Sequence, residues 1–81
     1  MGGSEGLELF HEVAQPASAR VRRYVTDHGL LPKLRFRNIV YAEVKADFDA
    51  RGGTELPALW DGRELVQGAE AVLARLQSLS G

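Results

Sequence analysis

None of the 81 residues of this chain is cysteine, so its own side chains supply no disulfide, no thiolate nucleophile and no sulfur ligand for a metal. His11 and His28 are its only imidazoles. Two histidines are too few for a metal site built from this chain alone, and no Asp/Ser/His set has a spacing that suggests nucleophilic catalysis. No catalytic residue and no metal ligand is therefore expected. His28 falls at the end of a helical pattern, where the helix dipole favours a protonated imidazole and gives it a structural reason to be there. Trp60 stands just before a turn signal and reads as a partly buried anchor.

Charge narrows the partners. The net charge of −1 gives no reason to expect a nucleic acid or a membrane surface. The cations are nonetheless clustered: Arg20, Arg22, Arg23, Lys33, Arg35 and Arg37 are interrupted only by the acid Asp27. A solvated helix face followed by a charge-protected edge strand accounts for this segment, with an anion-binding surface as the lesser alternative. No apolar run reaches the ~20 residues of a membrane span, and the opening Met1-Gly2-Gly3-Ser4-Glu5-Gly6 has no secretory pattern. A cytoplasmic protein is expected, with residues 1–6 a flexible tail and 7–79 a single domain.

The elements that must position these residues follow from periodicity. An apolar run from Leu7 to near Ala14 has the length of a buried strand, and Gln15-Pro16 then marks a helix cap and first turn. Val21, Tyr24, Val25 and His28 continue at helical spacing to the stop at Gly29. Leu34-Arg35-Phe36-Arg37 alternates as a strand with one covered face, and Tyr41, Val44 and Phe48 share a helical face before Arg51-Gly52-Gly53. The segments Leu56–Trp60 and Glu64–Val66 flank Asp61-Gly62, the dipeptide suited to a type I′ hairpin, and Ala69, Val72, Leu73, Leu76 and Leu79 form the stripe of a last helix. The order β-α-β-α-β-β-α requires a parallel first pair and an antiparallel last pair, hence one mixed four-stranded sheet with helices on both faces.

That order, with five local features, resembles the glutaredoxin-type thioredoxin fold. Leu7-Glu8-Leu9-Phe10 is similar to that family's first strand, and Gln15-Pro16-Ala17-Ser18 follows where the family carries Cys-Pro-Tyr-Cys. Glu55-Leu56-Pro57 resembles its Thr-Val-Pro segment with a cis proline. Asp61-Gly62-Arg63 resembles its hairpin turn, and Gln67-Gly68-Ala69-Glu70 resembles the Gly-Gly-Cys-Asp that opens its last helix. The N-terminal domain of glutathione transferases is nearly as similar, through Leu56-Pro57-Ala58-Leu59 and Ala71-Val72-Leu73.

The resemblance places Gln15, Pro16, Ala17 and Ser18 at degenerate active-site positions. A hydroxyl at Ser18 is not a redox group, and without an adjacent base it is a poor nucleophile. Candidate ligand-binding residues are Gln15, Ser18, Leu56, Pro57 and Glu70, with the helix N-terminus offering free N–H groups and the Leu56 backbone pairing an extended ligand. Glu12 stands where glutaredoxins commonly have a lysine, which reverses the charge logic for anionic glutathione. The expectation is a redox-inactive domain, without a resident cofactor, that binds a peptide, a protein partner or a small anionic ligand. Glutathione is the one cofactor the resemblance suggests. The alternatives are a transferase-like enzyme using that ligand's own thiol, and an assembly module contacting partners through Arg35 and Arg37 or the flank of Trp60, as a monomer or weak dimer.

Overall fold

The structure is a computed structural model and describes residues 6–80; the expected N-terminal tail lies outside the described residues except for Gly6. The chain runs β1 (Glu8–His11), α1 (Pro16–Asp27), a 3₁₀ turn (Leu31–Lys33), β2 (Arg35–Asn38), α2 (Ala42–Ala50), β3 (Ala58–Trp60), β4 (Leu65–Gln67) and α3 (Ala69–Ser80). The sheet order is β2-β1-β3-β4, with β1 and β2 parallel and the other two pairs antiparallel. This is the mixed four-stranded sheet with three helices expected from the sequence.

Strand alternation divides the apolar residues between the two faces of the sheet. Leu9 and Leu59 point to one side, where they pack with Val21 and Val25 of α1 and with Val72 and Leu76 of α3. Phe10 and Ala58 point to the other, under Val44 and Phe48 of α2. Because both faces are covered at its centre, β1 carries adjacent apolar residues, Leu9 and Phe10, rather than one between polar neighbours. Gly53 completes the α2 side: a Cβ there would lie 2.4 Å from the Phe48 ring, so only a glycine lets the loop after α2 close over it.

Four local expectations are corrected. β1 stops at His11 rather than near Ala14, because the Gln15 N–H donates to the Glu12 carbonyl at 3.1 Å and closes a turn there. Asp61-Gly62 does not form a two-residue type I′ turn. Trp60 pairs with Leu65, leaving a four-residue loop in which only Gly62 has positive φ (95°). The Asp61 carboxylate accepts the N–H groups of Arg63 and Glu64, both at 2.9 Å, and Arg75 of α3 clamps the loop through Asp61 and Glu64. With the Asp61 carboxylate capturing its own loop amides, one left-handed residue, Gly62, is enough where a type I′ turn needs two.

The third correction concerns β2. Its alternation suggested Phe36 inward and both arginines outward, yet Arg37 is 12% exposed and Phe36 38%. Arg37 lies beneath α2, donating to Glu8 and, at 2.8 Å, to Asp47, while Arg51 donates to the same Glu8 at 3.1 Å. The Arg51 guanidinium also stacks 4.6 Å over the half-buried Trp60 ring. Arg37 is thus an internal tie and not part of an exposed contact surface. Tyr41, expected on the buried face of α2, instead precedes the helix as its N-cap and is exposed.

Candidate functional site

The carboxyl ends of β1 and β2, the amino end of β3 and the amino ends of α1 and α3 converge at one edge of the sheet, where α/β folds generally place ligands. Four segments meet there: the loop 12–15, the turn 39–41, Leu56-Pro57 and Gly68-Ala69. Register sets their order. Phe10 opposes Ala58 and His11 opposes Asn38, so the loop that follows β1 emerges between the segment before β3 and the turn after β2.

Gln15 caps α1 with extended backbone (φ −87°, ψ 123°), and Pro16 occupies the first turn, where its missing N–H costs nothing. The amides of Ala17 and Ser18 have no acceptor among the described residues. The Ser18 side chain is directed elsewhere. It is fully buried, its Oγ accepts the Glu12 N–H at 3.1 Å and donates to Gln15 Oε1, and the hydroxyl is spent within the loop. Its geometry is that of a fastener between the loop and the helix.

Arg22, one turn further along α1, fixes the loop from behind. Its Nη1 donates to the Glu12 carbonyl at 3.2 Å and its Nη2 to the Val13 carbonyl at 3.3 Å. Nη1 also lies 3.1 Å from His11 Nδ1. A guanidinium only donates, so Nδ1 accepts and the imidazole is neutral with its proton on Nε2. Burial, and secondarily the Arg22 charge, hold His11 below the ordinary histidine range. The ring is 6% exposed and meets Phe36 edge-on at 5.3 Å. His28 is structural as well: its Nδ1 donates to the Tyr24 carbonyl at 3.0 Å and its ring stacks on Tyr24. No group of three His, Cys, Asp or Glu side chains that could hold a metal is found among the described residues.

Across the loop the Leu56–Pro57 peptide is cis. Pro57 is buried and its carbonyl accepts the Gly68 N–H at 2.8 Å. Among the described residues no hydrogen bond takes up the N–H or C=O of Leu56. The approach to this segment is held by Gln67, whose Oε1 accepts the amides of Thr54 at 2.8 Å and Glu55 at 2.9 Å. Gln67 and Arg22 had no distinguishing signal in the sequence, since a glutamine in a strand and an arginine in a helix announce no target.

Glu70 lies beside the site at the start of α3, but its carboxylate pairs with Arg20 at 2.8 Å in an exposed bridge between α3 and α1. Glu12 is exposed and makes no ion pair among the described residues. On the far side an open cleft of about 430 Å³ separates Glu12, Val13 and Ala14 from Asn38, Ile39 and Val40. Val13 is 63% exposed and Val40 73%. The structure therefore brings Gln15, Leu56 and Pro57 together at one edge, withdraws the Ser18 hydroxyl, commits Glu70 to a bridge, and adds an apolar cleft.

No family model matches this chain, and no curated protein sequence matches it. A solved structure does: the crystal structure of a buckwheat glutaredoxin–glutathione complex is similar over 96% of this chain and 74% of that one, with a TM-score of 0.67 at 14% identity. The fold is that of a glutaredoxin, in a chain without cysteine. No described helix is long and apolar enough to cross a membrane.

Proposed function

We propose that this chain binds an extended peptide segment at the edge formed by the loop 12–15 and Leu56-Pro57, and does so without thiol–disulfide exchange. The observation that carries this reading is the free backbone of Leu56. A donor and an acceptor on one residue, held by the buried Pro57 and by the Gln67-bound loop, match the backbone of an incoming chain. Val13, Val40 and Tyr41 add exposed apolar surface beside it, as expected where side chains of a partner are covered. Exchange would need a thiolate at or near Gln15, and the chain has none.

A peptide is preferred over a small anion because the Glu12 and Glu55 carboxylates, both exposed and without an ion pair among the described residues, stand at the edge and repel anions, while the Arg22 guanidinium is taken up by the Glu12 and Val13 carbonyls. Glutathione, named in the complex of the similar plant glutaredoxin, faces the same carboxylates, and the Glu70 carboxylate that would receive its ammonium shares its charge with Arg20 in an exposed bridge. The test is a pair of titrations followed by amide chemical shifts, one with a blocked Gly/Ser hexapeptide and one with reduced glutathione. Saturable shifts at Leu56 and Ala17 with the hexapeptide are expected. Shifts with glutathione alone would replace this reading with a glutathione-dependent one.

A further inference from the structure

The cleft on the far side of Glu12 has chemistry of its own. Its two walls face each other with Val13 and Ala14 on one side and Ile39 and Val40 on the other, and Glu12 is the ionisable side chain among its six lining residues. Both walls are held in place without a ligand. The Ile39 N–H donates to the His11 carbonyl at 3.0 Å, the Val40 N–H to Asn38 Oδ1 at 3.0 Å and the Tyr41 N–H to the Asn38 carbonyl at 3.2 Å. The opposite wall is held by Arg22 through the carbonyls of Glu12 and Val13. A preformed apolar slot with two exposed valines at its mouth loses little ordering entropy on binding a side chain.

We infer that this cleft is a specificity pocket for an aliphatic side chain of the bound peptide, with Glu12 selecting a lysine or arginine beside it. This rests on the peptide-binding reading above. Charge complementarity decides the neighbour: the Glu12 carboxylate is exposed and unpaired among the described residues, while the Arg22 guanidinium donates to the Glu12 and Val13 carbonyls and does not line the cleft. Distance decides the register. β2 and β3 flank β1 and so lie two strand spacings apart, about 10 Å, or about three residues of extended chain, with Leu56 just before β3 and Ile39 just after β2. A peptide paired with Leu56 thus crosses Glu12 before its third residue reaches the cleft.

Four blocked hexapeptides test this by amide shifts on the labelled chain: one with adjacent Leu and Lys in a Gly/Ser background, one with Leu changed to Ser, one with Lys changed to Glu, and the Gly/Ser peptide. The Leu-Lys peptide is expected to bind about fivefold or more tightly than any other, moving Val13, Ile39 and Val40 as well as Leu56. Val40→Asp removes the preference for Leu, and Glu12→Gln removes the preference for Lys while keeping that for Leu. Equal affinities for all four peptides, with Leu56 still shifting, overturn the pocket and leave the groove standing. Silence at Leu56 with every peptide overturns both.

Discussion

Replacing Ser18 by alanine separates a structural from a chemical role at the degenerate site. The hydroxyl is fully buried, accepts the Glu12 N–H at 3.1 Å and donates to Gln15 Oε1. Alanine keeps the helix and leaves almost no void, so the loss is confined to those two bonds. The half-buried Gln15 amide can turn to water and costs little. The Glu12 N–H, part-buried, loses its acceptor, a change worth about 1–2 kcal/mol. For a domain of this size that lowers Tm by roughly 5–15 °C. Urea unfolding of Ser18→Ala should show a lower midpoint with an unchanged slope, because the surface exposed on unfolding is the same. Hydrogen exchange at the Glu12 amide should accelerate more than exchange in β1. A variant within about 0.3 kcal/mol of the parent, with unchanged exchange at Glu12, would refute the fastener role and return the hydroxyl to the list of groups free to meet a ligand.

Three further perturbations probe the surroundings. Gln67→Ala should cost about 1 kcal/mol, two exposed amide bonds being partly replaced by water, and should speed exchange at Thr54 and Glu55; Gln67→Glu, which keeps the accepting oxygen, should restore most of the protection, and equal behaviour of the two variants would count against the acceptor role. Gly53→Ala forces the Phe48 ring aside and should destabilise by about 1–3 kcal/mol in thermal unfolding, whereas an unchanged Tm would mean the loop can move instead. His11 has a folded-state pKa below the ordinary 6.5, so the unfolded chain takes up the proton first and stability falls as pH drops below 6.5, levelling once the folded pKa is passed. Comparing urea midpoints at pH 7 and pH 5 for the parent and His11→Gln checks this: the drop should be smaller in the variant, and an identical drop would assign it to other groups.

Much of the fold was legible because its signals are local. The apolar residues Leu7, Leu9 and Phe10 signal a buried strand, Gln15-Pro16 signals a helix start, and Asp61-Gly62 signals a reversal. What escaped the sequence depended on partners far along the chain. Arg37 alternates like a solvent-facing cation, but Glu8 and Asp47 arrive from β1 and α2 to bind it under the helix. The hairpin departs from a type I′ turn because Asp61 captures the Arg63 and Glu64 amides, a choice that Asp-Gly leaves open. At the site, the positions of Gln15, Ser18 and Leu56-Pro57 followed from resemblance to known glutaredoxins, whereas the burial of the Ser18 hydroxyl, the Arg20–Glu70 bridge and the cleft at Val13 and Val40 required three-dimensional packing. Side-chain direction at a helix start and the distance between two loops are not encoded in any short window.

The central claim concerns one amide. In the free protein the Leu56 N–H has no acceptor among the described residues, so its exchange with solvent deuterium should be fast. With the Leu-Lys hexapeptide at saturation, its backbone carbonyl should accept that N–H and slow the exchange by about tenfold or more, the size of a bond worth roughly 1.4 kcal/mol. Slowing at Leu56 under saturation is the predicted result; exchange at Leu56 that stays as fast in the complex as in the free protein would contradict the account.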